Sequence, residues 1–276
     1  MRNIVIATDL TPAGGHALQR ACLIASQHCA SLTILHISSG FTKALDRELI
    51  IEDLDDLAET QAALHPCIHS VTARLVTGST AHKIATEAER VNADLIVVGG
   101  HGPMRWADEL FGTTVGKLLR RTTLPVLVVK EPARHPYRRI VAAIESGEIA
   151  RETLELAATV SSADTLFAVH AFLPTLPELV GSYGDAMDVQ GSEQREVELL
   201  IEAVLGDRCD VVFAAHPVAQ RGEPVGVIVQ AHEQFHADLV VAVTHGRTGF
   251  GLALRGSFAD MLIEQAPFDL LLQHQH

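Results

Sequence analysis

The sequence predicts an α/β protein built from two tandem doubly wound parallel five-stranded sheets, and three observations carry that reading. Short apolar, β-branched runs alternate with helical stretches along the chain, the pattern of parallel strands covered by helices on both faces. The pattern is written twice. From Gly78 to Thr113 the two copies keep a constant offset of 144, pairing Gly78 with Gly222, Asp94 with Asp238, His101 with His245, Gly102 with Gly246, Gly112 with Gly256 and Thr113 with Ser257. A fixed offset of this kind marks an internal repeat. The length of 276 residues suits two average domains.

Residues 3–9, Asn-Ile-Val-Ile-Ala-Thr-Asp, form a buried-strand pattern that ends in a carboxylate. Thr11-Pro12-Ala13-Gly14-Gly15 supplies a cap and a turn before a helix at about 15–29. Leu32 to Ile37 is the second strand, and a helical stretch over about 42–65 follows it, with the acidic cluster Glu52, Asp53, Asp55 and Asp56 on a solvated face. Val71 to Val76 is the third strand and stops at Gly78. A helix at 80–91 leads to the fourth strand, Asp94 to Val98, and a helix at 114–121 to the fifth, Pro125 to Lys130.

The second copy opens with Arg138 to Glu145, which sets Glu145 in the place of Asp9, and continues with Thr165 to Ala171, which matches His170 to His36. About ten extra residues between Phe172 and Ser192 read as a long connection. Glu131-Pro132-Ala133-Arg134-His135-Pro136 breaks both patterns and reads as a linker between domains at 1–132 and 137–276.

Composition narrows the function. The net charge of −13 argues against a nucleic-acid partner, since phosphate-backbone affinity comes from clustered Lys and Arg. Residues 1–133 carry 12 basic and 14 acidic side chains, net −2, and residues 134–276 carry 9 and 20, net −11. A polyanionic ligand suits the first half better. No apolar run approaches the roughly 18 residues needed to span a bilayer, and the first residues start a strand, so the expectation is a soluble cytoplasmic protein with no membrane partner. Cys22, Cys29, Cys67 and Cys209 show no C-x-x-C spacing and are expected to be reduced and packed.

The most informative stretch is Val97-Val98-Gly99-Gly100-His101-Gly102, followed by Gly112-Thr113. Glycines after a buried strand let backbone N–H groups approach an anion without an intervening Cβ. Gly112 and Thr113 precede a helix, whose first turn offers unpaired N–H donors and the positive dipole end, and the Thr hydroxyl adds a donor. This is not a P-loop, because Gly112-Thr-Thr-Val-Gly116-Lys117-Leu118 is one spacer short and lacks Ser or Thr after Lys. In the second copy Val243 replaces Gly99, which puts a β-branched residue where bare backbone is wanted.

The spacing G-x2-G-x9-G-[S/T] after a fourth strand resembles the nucleotide-binding loop of the universal stress protein family, and Gly99, Gly102, Gly112 and Thr113 match it in full. The resemblance covers nearly the whole chain, with one intact motif and one degenerate one. It implies an adenine-nucleotide alpha-hydrolase-like fold with strand order 3-2-1-4-5 in each half. It also implies adenine contacts from the backbone of Ile37, ribose or metal-linked contacts from Asp9, and phosphate contacts from Gly99, Gly102, Gly112 and Thr113. The ligand it implies is ATP, with Mg or Mn. Its role is that of a stress-response regulatory protein, signalling to an unknown protein partner, with homo-oligomers formed through fifth strands. Residues 125–130 and 268–273 are also able to pair within one chain.

Two other readings stay open on the residues: a nucleotide-independent interaction module and a slow ATPase. No catalytic constellation supports the second: nothing near the loop is an obvious water-activating base, and Asp9 is the least poor candidate. His232-Glu233-Gln234-Phe235-His236 spells the zinc-protease pattern H-E-x-x-H, but His236 falls at the end of a helix spanning about 225–236. No metal site is assigned there. His36, His101, His170 and His245 recur in both copies and point to a structural role shared by the two units.

Overall fold

The computed structural model describes residues 1–38, 44–100, 114–145, 147–160, 164–173, 185–206, 214–245 and 258–275. Two compact units divide the chain, Met1–His135 with Leu271–His274 and Pro136–Leu270 with Gln275–His276. The first half contains β1 (Asn3–Thr8), α1 (Pro12–His28), β2 (Ser31–Ser38), α2 (Ala44–Leu64), β3 (Ser70–Thr77), α3 (Thr80–Arg90), β4 (Leu95–Gly99), α4 (Thr114–Leu119) and β5 (Val126–Val129). The second half contains β6 (Arg139–Ile144), α5 (Glu148–Val160), β7 (Thr165–Phe172), α6 (Asp185–Leu205), β8 (Ala214–Arg221), α7 (Pro224–Phe235), β9 (Leu239–His245), α8 (Phe258–Gln265) and β10 (Leu270–Gln275).

Strand order in the first half is β3-β2-β1-β4-β5, with parallel pairing throughout. The second half repeats it as β8-β7-β6-β9-β10, with parallel ladders joining β6 to β7, β6 to β9 and β7 to β8. The order 3-2-1-4-5 therefore holds in both. Ile4 to Ile6, Leu95 to Val97, Ile140 to Ala142 and Leu239 to Ala242 are fully buried, as central strands covered on both faces require.

The repeated Asp94 and Asp238 fasten the start of each sheet. Asp94 Oδ2 accepts from the backbone N–H of Arg2 and Asn3, and the Asp238 carboxylate accepts from those of Arg138 and Arg139. The outer edge of β8 is covered by glutamines of α6. Gln194 donates to Pro217 O at 2.8 Å and accepts from Ala219 N at 2.8 Å, and Gln190 donates to Ala219 O. These amides satisfy backbone groups that would otherwise invite another strand.

Three local expectations change. Helix α1 begins at Pro12 rather than near residue 15, because Thr11 caps it and Pro12 carries a preset helical φ. The long connection read between Phe172 and Ser192 is shorter, since α6 already runs from Asp185; residues 174–184 lie outside the described residues. Gly191 is accommodated inside that helix, where a Cβ would meet nothing within 4 Å. Among the cysteines, Cys22 is packed and burial pushes its thiol up to about 12, which makes it unreactive. Cys29 and Cys67 are exposed; Cys29 is the left-handed C-cap of α1, whose backbone and not its thiol does the work. Cys209 lies outside the described residues.

Candidate functional site

The carboxyl end of β1 is held by a set of short local bonds. Thr8 Oγ1 accepts from Leu10 N at 3.0 Å, Asp9 Oδ1 accepts from Thr11 N at 3.0 Å and from Thr11 Oγ1 at 2.5 Å, and Thr11 Oγ1 accepts from Gly14 N at 3.3 Å. From the neighbouring strand His36 donates through Nδ1 to Thr8 O at 2.8 Å. Helix α1 then comes so close that a Cβ at Gly14 would stand 2.5 Å from Thr8 Oγ1 and 2.8 Å from Asp9 Oδ1. Asp9 is exposed at the strand end, and its Oδ1 is committed to the loop.

Ile37 sits on β2 one residue beyond His36, where the ladder with β1 stops at the Thr8 to His36 pair. Its pairing with Val76 of β3 continues. Gly99 ends β4, directly after Val98, whose partner on β1 is Ala7. Asp9, Ile37 and Gly99 thus stand at the carboxyl ends of three adjacent parallel strands, with β1 in the middle. Adjacent strands lie about 4.8 Å apart, so Ile37 and Gly99 are about 10 Å apart across the sheet. Gly102, Gly112 and Thr113 lie outside the described residues; α4 begins at Thr114, directly after them.

Sequence reading missed three contributors here. Gly14 reads in the sequence as turn punctuation, and nothing in the sequence marks Gly100, although a Cβ there would meet Lys130 Cγ at 2.5 Å and Val129 O at 3.2 Å. The Gly100 N–H itself donates to Val129 O at 2.6 Å. Leu10, between Asp9 and Thr11, has φ 62 and an exposed side chain. A glycine in the strand-to-helix turn is a visible signal for the first, but a left-handed leucine has none.

The equivalent end of the second unit is built differently. His170 repeats the strand-end bond, donating from Nδ1 to Ile144 O at 3.0 Å, and its Nε2 faces Glu193 Oε2 at 3.2 Å. Glu145 follows the strand as Asp9 does. Val243 is 3% exposed and belongs to the buried core of the unit. The Val243 N–H donates to Thr153 Oγ1 at 3.3 Å, and Thr153 is fully buried in α5. This backbone donor is therefore already paired within the unit. Gly246, Gly256 and Ser257 lie outside the described residues.

The H-E-x-x-H pair is separated by the end of its helix. His236 is the left-handed C-cap of α7, with φ 49, while the His232 ring stacks on Phe268 with centroids 3.9 Å apart. Burial lowers the His232 pKa, against opposing pulls from Glu233 and Asp238. Among the described residues no group of three or more His, Cys, Asp or Glu side chains is placed to hold a metal ion, and no helix is long and apolar enough to cross a membrane.

Two units of this strand order define a tandem α/β protein of the adenine-nucleotide alpha-hydrolase-like class. The universal stress protein family model matches residues 1–130 and again 136–274, so the chain belongs to the universal stress protein family, whose members are stress-response proteins. Its relatives include a universal stress protein of Mycobacterium tuberculosis, 25% identical over 95% of this chain and 93% of that protein. Another, universal stress protein A homolog 1 of Coxiella burnetii, is 30% identical over 46% of this chain and 95% of its own length. Among solved structures, a universal stress protein of Archaeoglobus fulgidus has TM-score 0.64 at 16% identity, over 99% of this chain and 98% of that one. A functionally unknown protein of Pseudomonas aeruginosa has TM-score 0.67 at 22% identity, over 99% and 92%. These two likenesses establish fold.

Proposed function

We propose that this chain is an ATP-binding stress-response regulatory protein that holds its nucleotide in the first unit. The observation that carries the reading is the placement of Asp9, Ile37 and Gly99 at the ends of β1, β2 and β4, where strand order reverses. Open parallel sheets bind ligands outside their strand carboxyl ends at such a point. In this reading the base meets the Ile37 backbone, the ribose lies over Asp9, and the phosphates meet Gly99, Gly102, Gly112 and Thr113. Mg or Mn accompanies ATP, because phosphate oxygens and the exposed Asp9 carboxylate are hard ligands that suit those ions.

Charge supports the same half. Segment 99–121 carries Arg105, Lys117, Arg120 and Arg121 against Asp108 and Glu109, a balance of +2, while 243–265 carries Arg247 and Arg255 against Asp260 and Glu264, a balance of zero. Calorimetry of nucleotide-free protein with ATP and Mg is expected to give one site per chain, lost in Gly112→Val and kept in Gly256→Val. Two sites, or loss with Gly256→Val alone, would assign the wrong half. No binding at all would favour the nucleotide-independent interaction module.

A further inference from the structure

Among the described residues, four that are not glycine have positive φ: Leu10, Cys29, Asn92 and His236. Three of them end helices. Cys29 caps α1 and His236 caps α7, and Asn92 follows the C-cap of α3, its N–H bonded back to Glu89 O. Leu10 stands instead in the turn between β1 and α1, next to Asp9. Leucine is disfavoured in this conformation, which glycine or asparagine adopts more easily. Packing does not explain the choice, because the Leu10 side chain is 45% exposed. A local rule broken with no gain to the core is the pattern of a functional position.

From these observations we infer that Leu10 is an apolar contact for the nucleoside part of the ligand, a role that rests on the nucleotide reading of the first unit. The bonds of Thr8 Oγ1 to Leu10 N and of Asp9 Oδ1 to Thr11 N fix the turn on both sides of it, so the side chain is presented with its backbone already ordered. β1 lies between β2, which carries Ile37, and β4, which ends in Gly99. A residue in the turn that leaves the middle strand therefore falls under the ribose and the near edge of the base, and not under the phosphates. The second repeat has Ser146 at the matching place after Glu145, so the apolar group is missing from the unit that is proposed to lack nucleotide.

The test is ATP titration of the full chain alongside Leu10→Asn and Leu10→Met, each with a thermal melt. Asparagine accepts the left-handed backbone and removes the apolar group; methionine keeps it. Covering about half of the exposed part of a leucine corresponds to about five- to ten-fold in affinity. Leu10→Asn is expected to weaken ATP by that factor with a melt no lower than that of the unaltered chain, and Leu10→Met to stay within about two-fold. Should the asparagine disturb folding, Leu10→Gly gives the same reading. Undiminished affinity in a folded Leu10→Asn or Leu10→Gly, or an equal loss in Leu10→Met, overturns the Leu10 contact and leaves the nucleotide site standing. Failure of the unaltered chain to bind ATP overturns both.

Discussion

Nδ1 of His36 stands 2.8 Å from the carbonyl oxygen of Thr8, and Nδ1 of His170 stands 3.0 Å from that of Ile144. In each unit an imidazole on the second strand ties down the last residue of the first, one position before the carboxylate Asp9 or Glu145. A carbonyl can only accept, so Nδ1 carries the proton. Recurrence of this histidine in both copies, including the one with the degenerate loop, fits a structural duty to the strand end.

Removing the donor in His36→Ala leaves the Thr8 carbonyl short of a partner, and a lost bond of this kind costs about 1–3 kcal/mol. His36→Asn, whose side-chain amide reaches a similar place, is expected to recover most of it. Denaturant unfolding of the three proteins checks this, and a loss below about 0.5 kcal/mol in His36→Ala would remove the role.

Gly14→Ala and Gly15→Ala are expected to move stability in opposite directions. A Cβ at Gly14 collides with Thr8 Oγ1 and Asp9 Oδ1, whereas at Gly15 it meets nothing within 4 Å. Overpacking of this kind costs about 1–3 kcal/mol, while glycine to alanine inside a helix gains about 0.5–1 kcal/mol. Gly14→Ala should also weaken ATP, since Asp9 must shift. Equal melting temperatures for the two variants would contradict the packing described.

Stability is expected to fall as pH drops below about 6.5. Burial lowers the pKa of His232, and burial with the N-terminal ammonium lowers that of His28. A base with a depressed folded pKa binds protons more readily when unfolded, so its contribution is present above the unfolded value and lost as pH falls through the folded one. His232→Phe, which preserves the stack on Phe268, should flatten part of the decline between pH 7 and 5. A pH profile identical to that of the unaltered chain would show that His232 contributes nothing to it.

Thr153→Val removes the acceptor of the Val243 N–H in a fully buried place, and the expected cost is about 1–3 kcal/mol. ATP stoichiometry should stay at one. A second nucleotide site appearing in this variant would show that the Thr153 bond alone had closed the second unit.

The repeat, the placing of strands and helices, and the positions of Asp9, Ile37 and Gly99 at strand ends were legible in the chain itself, because the period of apolar residues is a local property and glycine interrupts it visibly. Strand order came from the family resemblance carried by Gly99, Gly102, Gly112 and Thr113, since pattern alone does not say which strands are neighbours. Tertiary structure decided the rest. That Gly14 has no room for a Cβ depends on how α1 packs against the end of β1. Val243 gives up its N–H to Thr153, 90 residues away, although its β-branched side chain had suggested a steric obstacle instead. Leu10 takes a left-handed backbone that its residue type disfavours, because Thr8 and Asp9 hold the turn on either side. Each of these rests on distances between atoms set by register and packing, which the order of residues along the chain does not express.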